Sequence, residues 1–92
     1  GDDLRKIAID LRSANSNSVV ALLSNNDGKP VLEVAVSDQS RAAGVKAGAL
    51  VKIGSTVLGG GGGGKDDFAQ GGGTDSSKSL DAIAAISQSL IG

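Results

Sequence analysis

Residues Gly59 to Gly73 read GGGGGGKDDFAQGGG, and nine of these fifteen positions are glycine. Six form an unbroken run that ends at Lys65, and three more close the segment. Glycine has no Cβ, so its main-chain N–H groups can be approached closely. Holding it in fixed structure costs roughly 0.5–1 kcal/mol relative to alanine. A flexible linker is the plain reading of such a run. Against it, the chain's only aromatic residue, Phe68, sits inside the segment and is followed by Ala69-Gln70. Asp67 to Gly71 therefore reads as a short strand with Phe68 and Gln70 on one face, held between a glycine loop before it and more glycines after it.

Upstream of the loop, Leu50, Ile53, Gly54, Val57 and Leu58 recur at i, i+3, i+4, i+7 and i+8, which predicts an amphipathic helix from about Val45. Gly54 in its middle costs about 1 kcal/mol against alanine and points to close helix–sheet packing. Gly59 is suited to the residue just past the helix end, so the loop leaves a helix C-terminus. Further upstream, Ser18–Leu23 is apolar on both parities and reads as a strand covered on two faces. Asn25–Pro30 is turn chemistry around Asp27-Gly28. Val31–Val36 then returns as a second strand, with Leu32, Val34 and Val36 on one face and Glu33 on the other. Ser37-Asp38-Gln39 caps a short helix carrying Arg41, which breaks at Gly44.

At the start of the chain, Asp2-Asp3 favours a helix N-terminus, and Leu4, Ile7, Ala8 and Leu11 give an amphipathic stripe. Asp2 and Lys6 can pair at i,i+4 on its exposed side. Residues 13–17 end the helix. Downstream of the glycine segment, Thr74–Ser77 offers N-cap residues. Leu80, Ile83, Ile86, Leu90 and Ile91 then mark a closing helix. The expected fold class is α+β, a single small domain over residues 1–92. Its order is helix, β-hairpin, helix, glycine-rich loop, short strand, helix, with the sheet packed by helices.

Composition narrows function. The 92 residues contain no cysteine and no histidine, which removes thiolate chemistry, disulfides and the commonest metal ligand and general base. Nine basic residues against ten acidic give a net charge of −1, unlike an autonomous nucleic-acid binder. No signal peptide or long apolar run anchors the chain in a membrane. It opens on Gly1 rather than an initiator methionine, which reads as a cut piece or a processed product.

Gly59–Lys65 matches the first seven positions of the P-loop pattern GxxxxGK(S/T), but Asp66 stands where the hydroxyl for Mg²⁺ belongs. The predicted context is also reversed. A P-loop opens a helix, whereas here a helix C-terminus precedes the loop and its dipole end is negative. Asp66 and Asp67, adjacent on an extended segment, point to opposite faces and do not converge on one ion. Lys65 either contacts phosphate or solvates the loop, and Gln70 either reads a base edge or satisfies neighbouring backbone. Phe68 is read as core rather than as a stacking platform.

The glycine segment, preceded by Lys46-Ala47-Gly48-Ala49-Leu50-Val51-Lys52, resembles the C-terminal domain of alanyl-tRNA synthetases, a DHH-associated domain. The positions that carry the likeness are Gly62-Gly63-Gly64-Lys65, Asp67, Ala69-Gln70 and Gly72-Gly73. Asp66, Phe68, Gly71 and Ala49 depart from the family's usual residues. A similar domain accompanies DHH-type phosphoesterases, whose motif carries a histidine where this chain has Gln70. The resemblance implies a tRNA-binding module that contacts the elbow of alanine-specific tRNA and couples aminoacylation with editing. Catalysis is expected upstream, with ATP and Mg²⁺ and an editing-region zinc in the parent enzyme and no cofactor in this piece. Its implied partners are tRNA, the other synthetase domains and a second copy in a full-length homodimer, in the cytoplasm and without a membrane. The implied RNA-facing residues are Gly60, Gly61, Gly62, Gly63, Gly64, Lys65 and Gln70, flanked by Lys46 and Lys52. An accessory substrate-binding domain of a phosphoesterase, or a protein-interaction module, are the alternatives.

Overall fold

The computed structural model describes residues 2–14, 18–26 and 28–91. The side chains of Asp2, Asp3, Leu4, Arg5, Asn26 and Ile91, and all of residues 1, 15–17, 27 and 92, lie outside the described residues. So do the Asp2–Lys6 pair, the Leu4 end of the first stripe and most of the segment expected to end that helix.

The elements are α1 (Asp2–Ala14), β1 (Val19–Asn26), β2 (Lys29–Val36), α2 (Asp38–Ala42), α3 (Ala47–Val57), β3 (Gly62–Gly64), β4 (Phe68–Gly72), a 3₁₀ turn (Ser76–Lys78) and α4 (Ser79–Ile91). The strands form one antiparallel sheet in the order β1-β2-β4-β3. The predicted hairpin is present, from Val19 opposite Val36 to Asn26 opposite Lys29. Its turn runs through Gly28 at φ 80°, a conformation that favours glycine. Ser37 caps α2 as expected, its Oγ accepting from Ser40 N.

Strand order corrects one expectation. β2, not β1, is covered on both faces, because it lies between β1 and β4 while β1 is an edge. Leu32, Val34 and Val36 are fully buried on the face under α3. Ala35 and Glu33 are buried on the face under α1. All of Val19–Leu23 is only half-buried.

α3 lies across β2, β4 and β3, and α4 packs on α3. Gly54 explains the closeness: a Cβ there would stand 2.5 Å from Leu32 Cδ2 and 2.9 Å from Ile86 Cδ1. The inward stripe of α3 is rotated from the one read in the sequence. Leu50, Val51, Gly54, Ser55 and Leu58 are buried, and Ile53 and Val57 are half-buried against the core's rim. Two further stripes turn outward. On α1, Ala8 is buried while Ile7 and Leu11 are 50% and 44% exposed. On α4, Ala82 and Ile86 enter the core and Leu80 is 85% exposed.

Asp75 opens the 3₁₀ turn. Its carboxylate accepts from the Ser77 hydroxyl and from Ser77 N. The hydroxyl bond first, then the backbone bond, hold its pKa below the usual carboxylate value. A carboxyl whose folded pKa is depressed adds stability above its unfolded pKa, and that stability is lost as pH falls through the folded value. Asp75→Asn is therefore expected to flatten the acid limb of the stability–pH curve and to leave its alkaline limb unchanged. Urea melts between pH 7 and the acid transition read this directly.

Candidate nucleic-acid interface

The glycine run leaves α3 where the sequence placed its end. Gly59 takes φ 81° and its N–H bonds Thr56 O, after which Gly60 N donates to Ser55 O at 2.9 Å. The run does not stay a loop. Gly62–Gly64 is a strand, paired with Gly71, Gln70 and Ala69 in turn. Gly72 N donates to Gly61 O and Lys65 N to Phe68 O. By antiparallel alternation Gly63 then faces Gln70 with its own N–H and C=O, and Gly62 and Gly64 turn theirs away from β4. The strand Gly62–Gly64 is thus one of the two edges of the sheet.

The tip of this hairpin is tied down by its aspartates, through their main chain. Asp66 O accepts from Ala47 N at 2.9 Å, and Asp67 O accepts from Val36 N at 2.8 Å. Arg12 Nη1 also donates to Asp67 O at 3.0 Å, with the Asp67 carboxylate 3.9 Å away. Lys65 at the tip is exposed.

The glycines divide into two sets by what a side chain would meet. At Gly60 a Cβ would stand 2.2 Å from Gly72 O, and at Gly62 2.4 Å from Gly71 Cα. At Gly64 it would be 2.8 Å from Ala69 Cα, and at Gly73 2.1 Å from Leu58 O. These four are glycine because backbone packs on backbone. At Gly61 and Gly63 nothing lies within 4 Å, so internal packing does not require glycine there. Gly63 opens into a groove of about 310 Å³ between the hairpin and α1, walled by Phe68, Gln70, Ile9 and Arg12 and ended by Lys65. Phe68 is half-buried in this wall and stands outside the main core cluster.

The family model of the DHHA1 domain matches residues 1–92, the whole chain. The chain belongs to the DHHA1 domain family. Among its relatives are the alanine–tRNA ligases of Paenarthrobacter aurescens, 51% identical over 87 residues, and Renibacterium salmoninarum, 52% identical over 91 residues. These matches take in 92% and 97% of this chain. The chain spans about one tenth of the length of either ligase. The crystal structure of the C-Ala domain from Aquifex aeolicus alanyl-tRNA synthetase superimposes with a TM-score of 0.91. It is 33% identical and covers 99% of this chain and 81% of that one. This DHHA1 domain therefore has the C-Ala fold and is similar to the C-terminal domain of alanyl-tRNA synthetase.

Within the DHHA1 domain the nine residues singled out from the sequence do not share one surface. Gly63 and Gln70 lie on the α1 face of the sheet, with Lys65 at the groove's end. Lys46 precedes α3 beside the hairpin tip, through the Ala47–Asp66 bond. Lys52 is exposed one turn after Gly48, whose own Cβ would face Gly64 O at 3.2 Å. It therefore stands on the opposite side of β3. The free edge of β3 is the place where both sides can be reached at once. Arg12 and Ile9 escaped the sequence reading, since nothing in a helix stripe tells which strand it will cross.

A larger cleft of about 470 Å³ adjoins the groove and shares Arg12 and Asp67 with it. Its other arginine, Arg41, is paired with Asp38, and two carboxylates line it, which disfavours an anion. Among the described residues no cluster of three or more acidic, histidine or cysteine side chains could hold a metal ion. Likewise, no helix among them is long and apolar enough to cross a membrane.

Proposed function

We propose that this chain is a tRNA-binding C-terminal module of a cytoplasmic alanine–tRNA ligase, that it contacts the tRNA elbow, and that it couples aminoacylation with editing. The observation that carries the reading is the edge strand. Gly61 and Gly63 are bare where packing permits a side chain, the outward N–H groups of Gly62 and Gly64 lie beside them, and Lys65 ends the row. Main-chain N–H groups and a single cation suit phosphate and sugar contacts, and RNA helices are read largely through shape and backbone. A net charge of −1 fits a module that makes few phosphate contacts and works beside others. Gln70, at the position of the phosphoesterase histidine, favours the synthetase reading over the phosphoesterase one.

In this reading the chain is not itself catalytic, and its partners are alanine-specific tRNA, the upstream synthetase domains and a second copy in the full-length homodimer. ATP with Mg²⁺ and the editing zinc belong to upstream domains. The residues here do not suit a zinc, because the chain has neither histidine nor cysteine.

Two substitutions in the full-length protein test the interface. Lys65→Ala is expected to weaken binding about equally across tRNA sequences. It should also flatten the slope of log K against log salt by somewhat under one unit, the signature of one lost phosphate contact. Gly63→Val is expected to reduce tRNA affinity without lowering the melting temperature, because its side chain enters open groove rather than protein. Unchanged affinity and salt slope in both variants would place the RNA elsewhere.

A further inference from the structure

The groove beside Gly63 holds chemistry that phosphate contacts at the sheet edge leave unused. Its volume of about 310 Å³ stands at the lower end of the roughly 300–1,000 Å³ usual for small-ligand sites. That is room for one flat ring system with its sugar, and not for a helix. Phe68 and Gln70 lie two residues apart on one face of β4 and both line the groove. Gly63 is paired with Gln70 across the strands. Ile9 and Arg12 of α1 form the other wall. Arg12 donates to Asp67 O, which fixes that wall to the hairpin carrying Phe68.

Each wall suits a different part of a nucleobase. Phe68 is the chain's only aromatic residue, and it is half-buried here, outside the main core cluster. Bases of single-stranded RNA stack on such rings. Gln70 is exposed, and its amide sets a donor and an acceptor side by side, the pattern that meets a base edge. The Arg12 charge is already balanced by the Asp67 carboxylate 3.9 Å away. The interior of the groove therefore suits a neutral group, and an anion is left to Lys65 at its end.

We propose that the groove takes one unpaired nucleobase of the bound RNA, stacked on Phe68 with its edge against Gln70. The phosphate of that nucleotide rests on the β3 edge beside Lys65, where the N–H groups of Gly62 and Gly64 turn outward. The inference rests on the RNA-binding reading and adds recognition of a base to it. It also accounts for Gly63, where neither a crowded Cβ nor a left-handed φ demands glycine. Gly63 is the gap over which the sugar passes from edge to groove. A loop base is the occupant because a paired one must first be pulled from its stack and its partner. An apolar side chain of a protein would fill the space and leave the Gln70 amide unmet.

Two RNA hairpins of the same stem test this, one with an intact loop and one whose loop nucleotides are abasic. Both carry the same phosphates. The isotope-labelled 92-residue chain is titrated with each to about 1 mM, which populates any complex of millimolar Kd. The chain has no other aromatic residue and no histidine, so a carbon-edited aromatic spectrum reports Phe68 alone. The intact loop is expected to bind about tenfold more tightly than the abasic one. It should also move the Phe68 ring protons upfield through the ring current of the base, and the abasic loop should leave them in place. Phe68→Leu keeps the apolar bulk and should remove most of that preference with abasic binding unchanged. Gln70→Ala should reduce it by about threefold, for one lost hydrogen bond. Equal affinities with an unmoved ring overturn base recognition, and the edge–phosphate reading still stands where Lys65→Ala weakens both hairpins alike. Equal ring shifts with both hairpins overturn it too, since the ring then reports a change in the fold and not stacking. Failure of both hairpins to bind removes the RNA reading and this proposal together.

Discussion

Val51→Asp is expected to unfold the domain. Val51 is fully buried on the inward face of α3. Its Cγ1 is among the nearest atoms to the Cβ positions that Gly62 and Gly71 lack, at 2.9 and 2.7 Å. The substitution loses about 1.5–3 kcal/mol of apolar burial. It also places a carboxylate against two strands with no partner, which costs several kcal/mol more whether the group ionises or binds a proton. A chain of this size has roughly 5–14 kcal/mol in all by per-residue scaling, so a loss of about 4–7 kcal/mol takes most of it. Ile53→Asp, at a half-buried rim position, should cost roughly half as much because water still reaches the new charge. Urea unfolding of both variants ranks the two positions. If Ile53→Asp proves the more damaging, the inward face of α3 is the one predicted by the simple periodicity and not the one described.

The second large effect is expected at Gly62, and its control is the next residue. A Cβ at Gly62 would stand 2.4 Å from Gly71 Cα and 2.7 Å from Gln70 O. Both are backbone, so relief requires opening the β3–β4 hairpin. Overpacking of this kind costs about 2–3 kcal/mol, which in a domain of this size lowers the melting temperature by roughly 10–20 °C. Gly63→Ala meets nothing within 4 Å. It should be neutral, or stabilising by up to about 1 kcal/mol through the loss of freedom in the unfolded chain. Calorimetry on the pair decides between a packed edge strand and a loose glycine loop: equal melting temperatures would mean that the hairpin is not formed as described.

The same contrast shows where pattern reading stopped. Side-chain periodicity locates a strand only if there are side chains, and Gly62–Gly64 has none. The run was therefore legible as special but not as an edge. The β1–β2 hairpin was legible because β-branched runs flank Asp27-Gly28, and the end of α3 because Gly59 can take a positive φ. The inward face of α3 was not legible. Leu50, Val51, Ile53, Val57 and Leu58 spread apolar side chains over about 160° of the helix, so a rotation of about one residue is invisible in the pattern. It was settled by bare Gly62 and Gly71, which leave room for Val51 and Ser55 against the sheet. The exposed stripe of α1 has the same origin, since an apolar stripe records that something covers it and not which element does.

By itself, then, the chain determined its class, its hairpin, its helices, the turns that only glycine can make and its family likeness, because all of these depend on residues close in sequence. Tertiary structure alone decided the order β1-β2-β4-β3, the burial of Glu33, and the pairing of Arg12 with Asp67 across fifty-five positions. It also decided which two of the crowded glycines are free of internal duty. Those outcomes turn on which surfaces meet when distant segments pack. Glycine carries no side chain to announce a contact before the backbone it touches is in place.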